Sequence, residues 1–203
     1  MTTEVLKRLR PFYYIITPDD NRLLDAVDRL DPHPNQEFSW GTKTEAIDQL
    51  RYYECEILPS YVYWLREYMK KIDIALSFEI SDIWKTTYKR GSFQEPHDHP
   101  ECDLVSVIFL DDPGKGGRFY LKNYKGEETH FVDYKKGDMI VFPSNLVHGV
   151  TPFTTSIWED LILRKRRRTI SINVDIGGYQ LWEGSIEKLL YEEALEIKRK
   201  ETG

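Results

Sequence analysis

Cysteine is nearly absent: Cys55 and Cys102 are the only two in 203 residues. So sparse a pair makes no disulfide framework, and both are expected as reduced thiols. Long apolar runs are missing too. No stretch of about eighteen apolar residues occurs, which argues against a membrane-spanning helix. The basic start at Lys7, Arg8 and Arg10 is not followed by the apolar segment of a secretory signal. These gaps predict a cytoplasmic protein. A basic excess is lacking as well: the net charge of −6 argues against nucleic acid as the general partner, though not against a local basic patch. There is no phosphate-binding loop and no serine or cysteine nucleophile arrangement. Without repeats, low-complexity segments or a linker, residues 1–203 read as one domain.

What is present is β-rich sequence flanked by helical sequence. Pro11 to Thr17 reads as a first strand. Leu23, Leu24, Val27 and Leu30 have helical spacing, and residues 31–41 form a loop. Thr42 with Glu45 resembles a capping box, for a helix carrying Ala46, Ile47, Leu50 and Tyr53 that Pro59 interrupts. A further helix places Val62, Leu65, Met69 and Ile72 on one face. The first 80 residues are thus a strand and a helical layer. From Asp82 the texture changes. Trp84, Thr86 and Tyr88 share one face of a strand, and Leu104 to Leu110, apolar on both faces, is a central strand. Turns at 111–117 and 136–138 separate strands at 118–121, 129–134, 139–142, 147–151 and 167–175. Short strands at this spacing predict a sandwich or barrel over 82–175. Residues 185–198 form an amphipathic helix through Ile186, Leu189, Leu190, Ala194 and Ile197, which either packs on the sheet or mediates a homodimer.

Three of the five histidines fall in two places. His97 and His99 are two apart, and residues two apart on a strand point to the same side. His148 precedes or begins a strand about fifty residues on. Together they make a candidate metal site with coordination positions left open, a ligand set that suits iron, zinc, copper or nickel. His33 and His130 lie outside this set. The bland alternative is three solvated histidines.

The surrounding order of motifs resembles the Fe(II)- and 2-oxoglutarate-dependent oxygenases. It is closest in pattern to their prolyl-4-hydroxylase-like branch and to the small oxygenases of phage and marine bacterial genomes. Tyr88-Lys89-Arg90-Gly91 precedes His97 at the family's spacing. The hydrophobic strand Val105 to Leu110, the hairpin Gly116-Gly117, Lys136-Gly137-Asp138, His148-Gly149-Val150-Thr151-Pro152 and Arg167 to Asn173 then follow in the family's order. The resemblance implies a mainly β fold with flanking helices, a double-stranded β-helix of the jelly-roll or cupin kind. It implies Fe(II) held by His97, His99 and His148, and 2-oxoglutarate and O2 consumed as a C–H bond is hydroxylated, with succinate and CO2 as co-products. The substrate classes it implies are a peptidyl residue, proline among them, or a small molecule.

One departure is chemical. The family's second ligand is normally aspartate, and His99 stands in its place. Three alternatives remain open: His99 binds, Glu101 or Asp103 supplies a carboxylate, or the site is degenerate. The first is favoured because Gly91 sets the register on His97. By carry-over from the family, Arg167, with Thr169 beside it, anchors the far carboxylate of 2-oxoglutarate, and Tyr88 is a second donor. Arg168 is the alternate anchor. Alternation puts Arg167, Thr169, Ser171 and Asn173 on one face. Two other functions compete: a three-histidine cupin-type dioxygenase that does not use 2-oxoglutarate, and a non-catalytic module acting through a metal or the basic run 164–168.

Overall fold

The computed structural model describes residues 14–16, 46–49, 58–71, 77–114, 116–122, 127–177 and 185–202. Ten strands are described: β1 Tyr14–Ile16, β2 Ala46–Gln49, β3 Ser77–Tyr88, β4 Gln94–His97, β5 Leu104–Phe109, β6 Phe119–Lys122, β7 Thr129–Phe131, β8 Met139–Pro143, β9 His148–Val150 and β10 Arg167–Gly177. Three helices accompany them: α1 Leu58–Lys71, α2 Ile157–Leu161 and α3 Ile186–Thr202. The larger sheet has the order β1-β8-β5-β10-β3-β2, and the smaller β4-β9-β6-β7. Every strand pairing among the described residues is antiparallel. Two facing sheets flanked by helices are the double-stranded β-helix expected from the sequence.

The central strand β5 shows how composition sets position. All six of its residues are buried, because β8 and β10 cover its edges and both faces are packed. Val105, Val107 and Phe109 join the cluster between the sheets, with Phe119, Phe142 and Phe153. Leu104 and Ile108 join the cluster under α1. The polar member, Ser106, shares a 2.9 Å hydrogen bond with the Tyr61 hydroxyl of α1, which meets the requirement that a buried hydroxyl be paired.

Helix α1 opens with Pro59 in its first turn, where the missing N–H costs nothing. Pro59 therefore sits at the start of this helix. Leu58, Tyr61, Val62, Leu65 and Met69 are almost wholly buried along one stripe. Their burial is worth on the order of 10 kcal/mol in gross transfer free energy. Helix α3 packs chiefly against α1: Leu190 and Tyr191 cover the same cluster, and the Glu187 carboxylate accepts a hydrogen bond from the Ile80 N–H at 3.0 Å. Leu189, assigned by periodicity to the apolar face, is exposed.

Two further expectations are corrected. Ala46–Gln49 is not helical: it forms strand β2, antiparallel to β3 with Ala46 opposite Thr87 and Gln49 opposite Trp84. The long β3 offers backbone hydrogen bonds there, and pairing overrides the local capping signal. The strand expected from Asp82 also starts earlier, at Ser77. The helix predicted over 23–30, the loop at 31–41, Leu50, Tyr53 and Ile72 lie outside the described residues.

Candidate active site

A cavity of about 390 Å³ opens between the sheets. Alternation along two neighbouring strands builds one wall. Arg167, Thr169, Ser171 and Asn173 of β10 all line it, as do Tyr88, Thr86 and Trp84 of β3. The register sets Arg167 opposite Tyr88 and Ser171 opposite Trp84. The intervening residues Ile170, Ile172 and Val174 turn into the cluster under α1.

His97, His99 and His148 line the same cavity. Their candidate ligand atoms all lie within 4.8 Å of one another. The ring centroids are 4.3 Å apart for His97 and His148, and 5.1 Å for each of the other two pairs. β4 and β9 pair with His97 directly opposite His148, which brings these two together. His99 arrives differently. β4 ends at His97, so strand alternation does not place His99. Its backbone N–H donates to the Ser144 carbonyl at 2.9 Å, and its ring stacks on Trp84 with centroids 5.7 Å apart.

Local hydrogen bonds select the ligating nitrogen. Nδ1 of His97 lies 2.8 Å from the Glu95 carbonyl, and Nδ1 of His148 lies 3.1 Å from that of Leu146. A carbonyl only accepts, so Nδ1 carries the hydrogen and Nε2 keeps its lone pair. Burial holds all three rings neutral. His148 is pushed well below the usual histidine range by burial and then by the other two imidazoles. Burial lowers His99 to about 4, with His97 adding to the effect, and burial also lowers His97. Neutral imidazole is the form that binds a metal. Nitrogens on one first-row cation, each at about 2.1 Å, sit no more than about 4 Å apart. The rings thus need close only slightly, and the residues fit a metal ion.

The carboxylate alternatives fare differently. Asp103 accepts a hydrogen bond from the Ile176 N–H at 2.8 Å, which ties it to β10. Glu101 is exposed at the cavity rim. Among the described residues, the grouping able to share an ion is His97, His99 and His148.

The far end of the cavity is cationic. Arg167 is 1% exposed. Its Nε donates to the Tyr134 hydroxyl at 3.0 Å, and its guanidinium carbon lies 4.9 Å from the Tyr88 ring centre. Nη1 and Nη2 are buried without a hydrogen-bond partner. A buried cation with two unsatisfied amino groups is costly unless a ligand completes it. A carboxylate matches that fork, so the residues also fit 2-oxoglutarate. Thr169, 3% exposed, is the next side chain on the same face. Burial raises the Tyr88 phenol above its usual range, and the Arg167 charge acts against this, so the phenol stays a donor at neutral pH. Gly117, at φ +69°, leaves the space: an added Cβ would sit 2.9 Å from the Phe153 ring and 3.1 Å from Arg167 Cδ.

Arg168 points the other way. Its Nε and Nη2 hold Asp111 at 3.0 and 3.1 Å, and its backbone N–H binds the same carboxylate at 2.8 Å. Asp111, read from the sequence as turn chemistry, thus pins the start of β10. Sequence reasoning also missed Tyr134 as the partner of Arg167, and Trp84 as the stacking partner of His99. An aromatic carries no mark for such a role, and Tyr134 lies beyond the end of β7.

No protein-family model matches the sequence. The chain is similar to the PKHD-type hydroxylase YbiX of Escherichia fergusonii, 28% identical over 108 residues, 45% of this chain and 47% of that protein. It thus spans about half the length of that curated relative. Solved structures match over more of it. An oxidoreductase of the 2OG-Fe(II) oxygenase family from Burkholderia pseudomallei superposes with a TM-score of 0.61 at 15% identity, covering 85% of this chain and 88% of that one. HygX from Streptomyces hygroscopicus, with nickel and 2-oxoglutarate bound, gives 0.58 at 11% over 86% and 87%. A Trichoplax adhaerens prolyl hydroxylase, in complex with a hypoxia inducible factor peptide fragment, gives 0.58 at 12% over 84% and 87%. With PKHD-type hydroxylases as its sequence relatives, this chain has the double-stranded β-helix fold of the 2OG-Fe(II) oxygenases.

Proposed function

We propose that the chain is an Fe(II)- and 2-oxoglutarate-dependent dioxygenase that hydroxylates a C–H bond. One observation carries the reading. Three neutral imidazoles and a buried guanidinium with two unpaired amino groups share one cavity. The similarity to PKHD-type hydroxylases, and the nickel and 2-oxoglutarate in HygX, support it. His97, His99 and His148 would hold the metal. Arg167 would take the far carboxylate of 2-oxoglutarate, with Tyr88 and Thr169 as hydroxyl donors beside it. When bound, the pair supplies the oxidising chemistry: O2 is consumed, the keto acid leaves as succinate and CO2, and one oxygen atom enters the substrate C–H bond.

The chain's own residues bind and orient. Hydrogen bonds to Glu95 and Leu146 fix two imidazole tautomers. Tyr134 and Tyr88 hold the Arg167 fork in place. Val107, Phe119 and Val150 give the cavity an apolar side that limits water at the reacting atoms. The acceptor is a peptidyl residue, proline included, or a small molecule; the peptide-bound prolyl hydroxylase of the same fold supports the first. No helix among the described residues is long and apolar enough to cross a membrane, and the proposed setting is the cytoplasm.

The test is direct. Protein with Fe(II), 2-oxoglutarate and O2 should form succinate, and His148→Ala should abolish it. Titration of Mn(II) followed by 2-oxoglutarate should show metal-dependent cosubstrate binding. Its absence in a folded protein would end the reading. The histidine in the usual aspartate position favours a second reading, a three-histidine dioxygenase whose substrate chelates the metal. In that case Arg167→Met would leave 2-oxoglutarate without effect in either form.

A further inference from the structure

We propose that the substrate of this site carries a positive charge, an ammonium or guanidinium group recognised at the cavity mouth by Asp82, Asp98 and Glu101. The inference rests on the oxygenase reading and specifies its substrate class. The cavity is a ligand site on independent grounds, since Arg167 is almost wholly buried and offers two unpartnered amino groups along its wall.

Charge is sorted along the wall. Arg167 faces Tyr88 at one end of the β3–β10 pair, and Asn173 faces Asp82 at the other. Six residues of strand separate these ends by roughly 20 Å. Asp82 is half-buried at the cationic end's opposite, and Asp98 and Glu101, on either side of the His99 turn, are exposed. Among the described residues, Arg167 is the cation that lines the cavity, and no other Lys or Arg does. A ligand entering between the carboxylates therefore meets negative potential before it reaches the metal-binding imidazoles. Trp84 lies two residues from Asp82 on the same face and also lines the cavity. An aromatic face beside carboxylates is the usual chemistry of ammonium recognition. An anionic substrate would be repelled at this mouth, while the anionic cosubstrate has its own cation at the far end.

The experiment compares matched probes on the whole protein. Pentylammonium, pentanol and pentanoate have the same carbon chain and differ in charge. Their affinities are measured by ligand-observed NMR at low salt with 2-oxoglutarate present, for the wild type and for the Asp98→Asn, Glu101→Gln double variant. Both substituted residues are exposed, so folding is not at issue. Pentylammonium should bind about fivefold or more tighter than pentanol, and pentanoate weakest. The preference should shrink to under twofold in the double variant, and likewise in 0.5 M salt. Equal affinities in the wild type, or a preference unchanged in the variant, overturn the proposal. So does a variant that loses Mn(II) affinity while keeping the preference, because the carboxylates would then serve the metal. A cation preference in a protein that does not bind 2-oxoglutarate with Mn(II) would remove the oxygenase reading and leave the cation site standing.

Discussion

Replacing Arg167 with Met should change the free protein little and the cosubstrate response completely. Met keeps much of the apolar stem that packs by Gly117 and Tyr88 and removes the charge. Two unpaired amino groups disappear, a relief of about 1–3 kcal/mol each. Against this, the bond to Tyr134 is lost, worth about 1.5–3 kcal/mol, along with a cation–π contact of about 1–2 kcal/mol. The terms nearly cancel. The melting temperature of the free variant should therefore stay within about 5 °C of the wild type, at roughly 2–4 °C per kcal/mol for this size. Cosubstrate behaves otherwise. At a hundred times Kd, 2-oxoglutarate with Mn(II) should stabilise the wild type by about 2.7 kcal/mol, or roughly 5–11 °C. If the variant binds a hundredfold more weakly, the same concentration gives about 0.4 kcal/mol, a shift of about 1 °C. Thermal melts of both proteins, with and without 2-oxoglutarate, contain the whole test. A variant that keeps the ligand-dependent shift, or a free variant destabilised by more than about 4 kcal/mol, would refute the reasoning: Arg167 would then be a structural cation and not a receptor.

Three more outcomes follow from the geometry. Arg168→Ala should leave 2-oxoglutarate affinity within twofold by calorimetry, because that side chain faces Asp111, and it should cost about 1 kcal/mol in denaturant unfolding. Gly116→Ala should destabilise by about 1–3 kcal/mol in the same assay, because its Cβ would sit 2.6 Å from the Thr154 backbone nitrogen. The metal-free protein should lose stability as pH falls from about 6.5 toward 4. Burial lowers His99 to about 4, while the unfolded chain takes up its proton near the usual value of about 6.5. The unfolded state thus binds more protons in that window, and stability rises with pH across it. Urea midpoints at several pH values check this, and His99→Asn should flatten the slope.

Much of the architecture was legible because β-strands write burial as a period of two. β10 alternates Arg167, Thr169, Ser171 and Asn173 with Ile170, Ile172 and Val174, and the structure sends the two sets to opposite sides. β5, apolar on both faces apart from Ser106, had to be central. The gathering of three histidines followed from their place among the motifs. What stayed hidden depends on contacts between distant segments. β2 exists because β3 has a free edge, and nothing within Ala46–Gln49 reports that edge. His99 reaches its neighbours through a turn bonded to Ser144, while alternation gave the right companions for a different physical reason. Tyr134 and Asp111 act on arginines 33 and 57 residues away, beyond any local pattern. Helix α2, which ends before the basic run 164–168, carries a Ser156–Glu159 capping box that is legible in those two residues, although no helix was expected there.

The turn that carries His99 has a consequence for how this centre can change. His97 and His148 sit opposite each other in the ladder between β4 and β9, where each side chain is closely hemmed by its cross-strand neighbour. His99 sits outside that ladder, moored by its own N–H to Ser144, whose N–H in turn binds the Asp103 carbonyl. The side chain at position 99 is therefore a replaceable fitting on a fixed bracket. Exchanging imidazole for carboxylate there would add a negative charge to the donor set without breaking a rung of either sheet. A fold built this way lets its donor chemistry drift while its frame stays still.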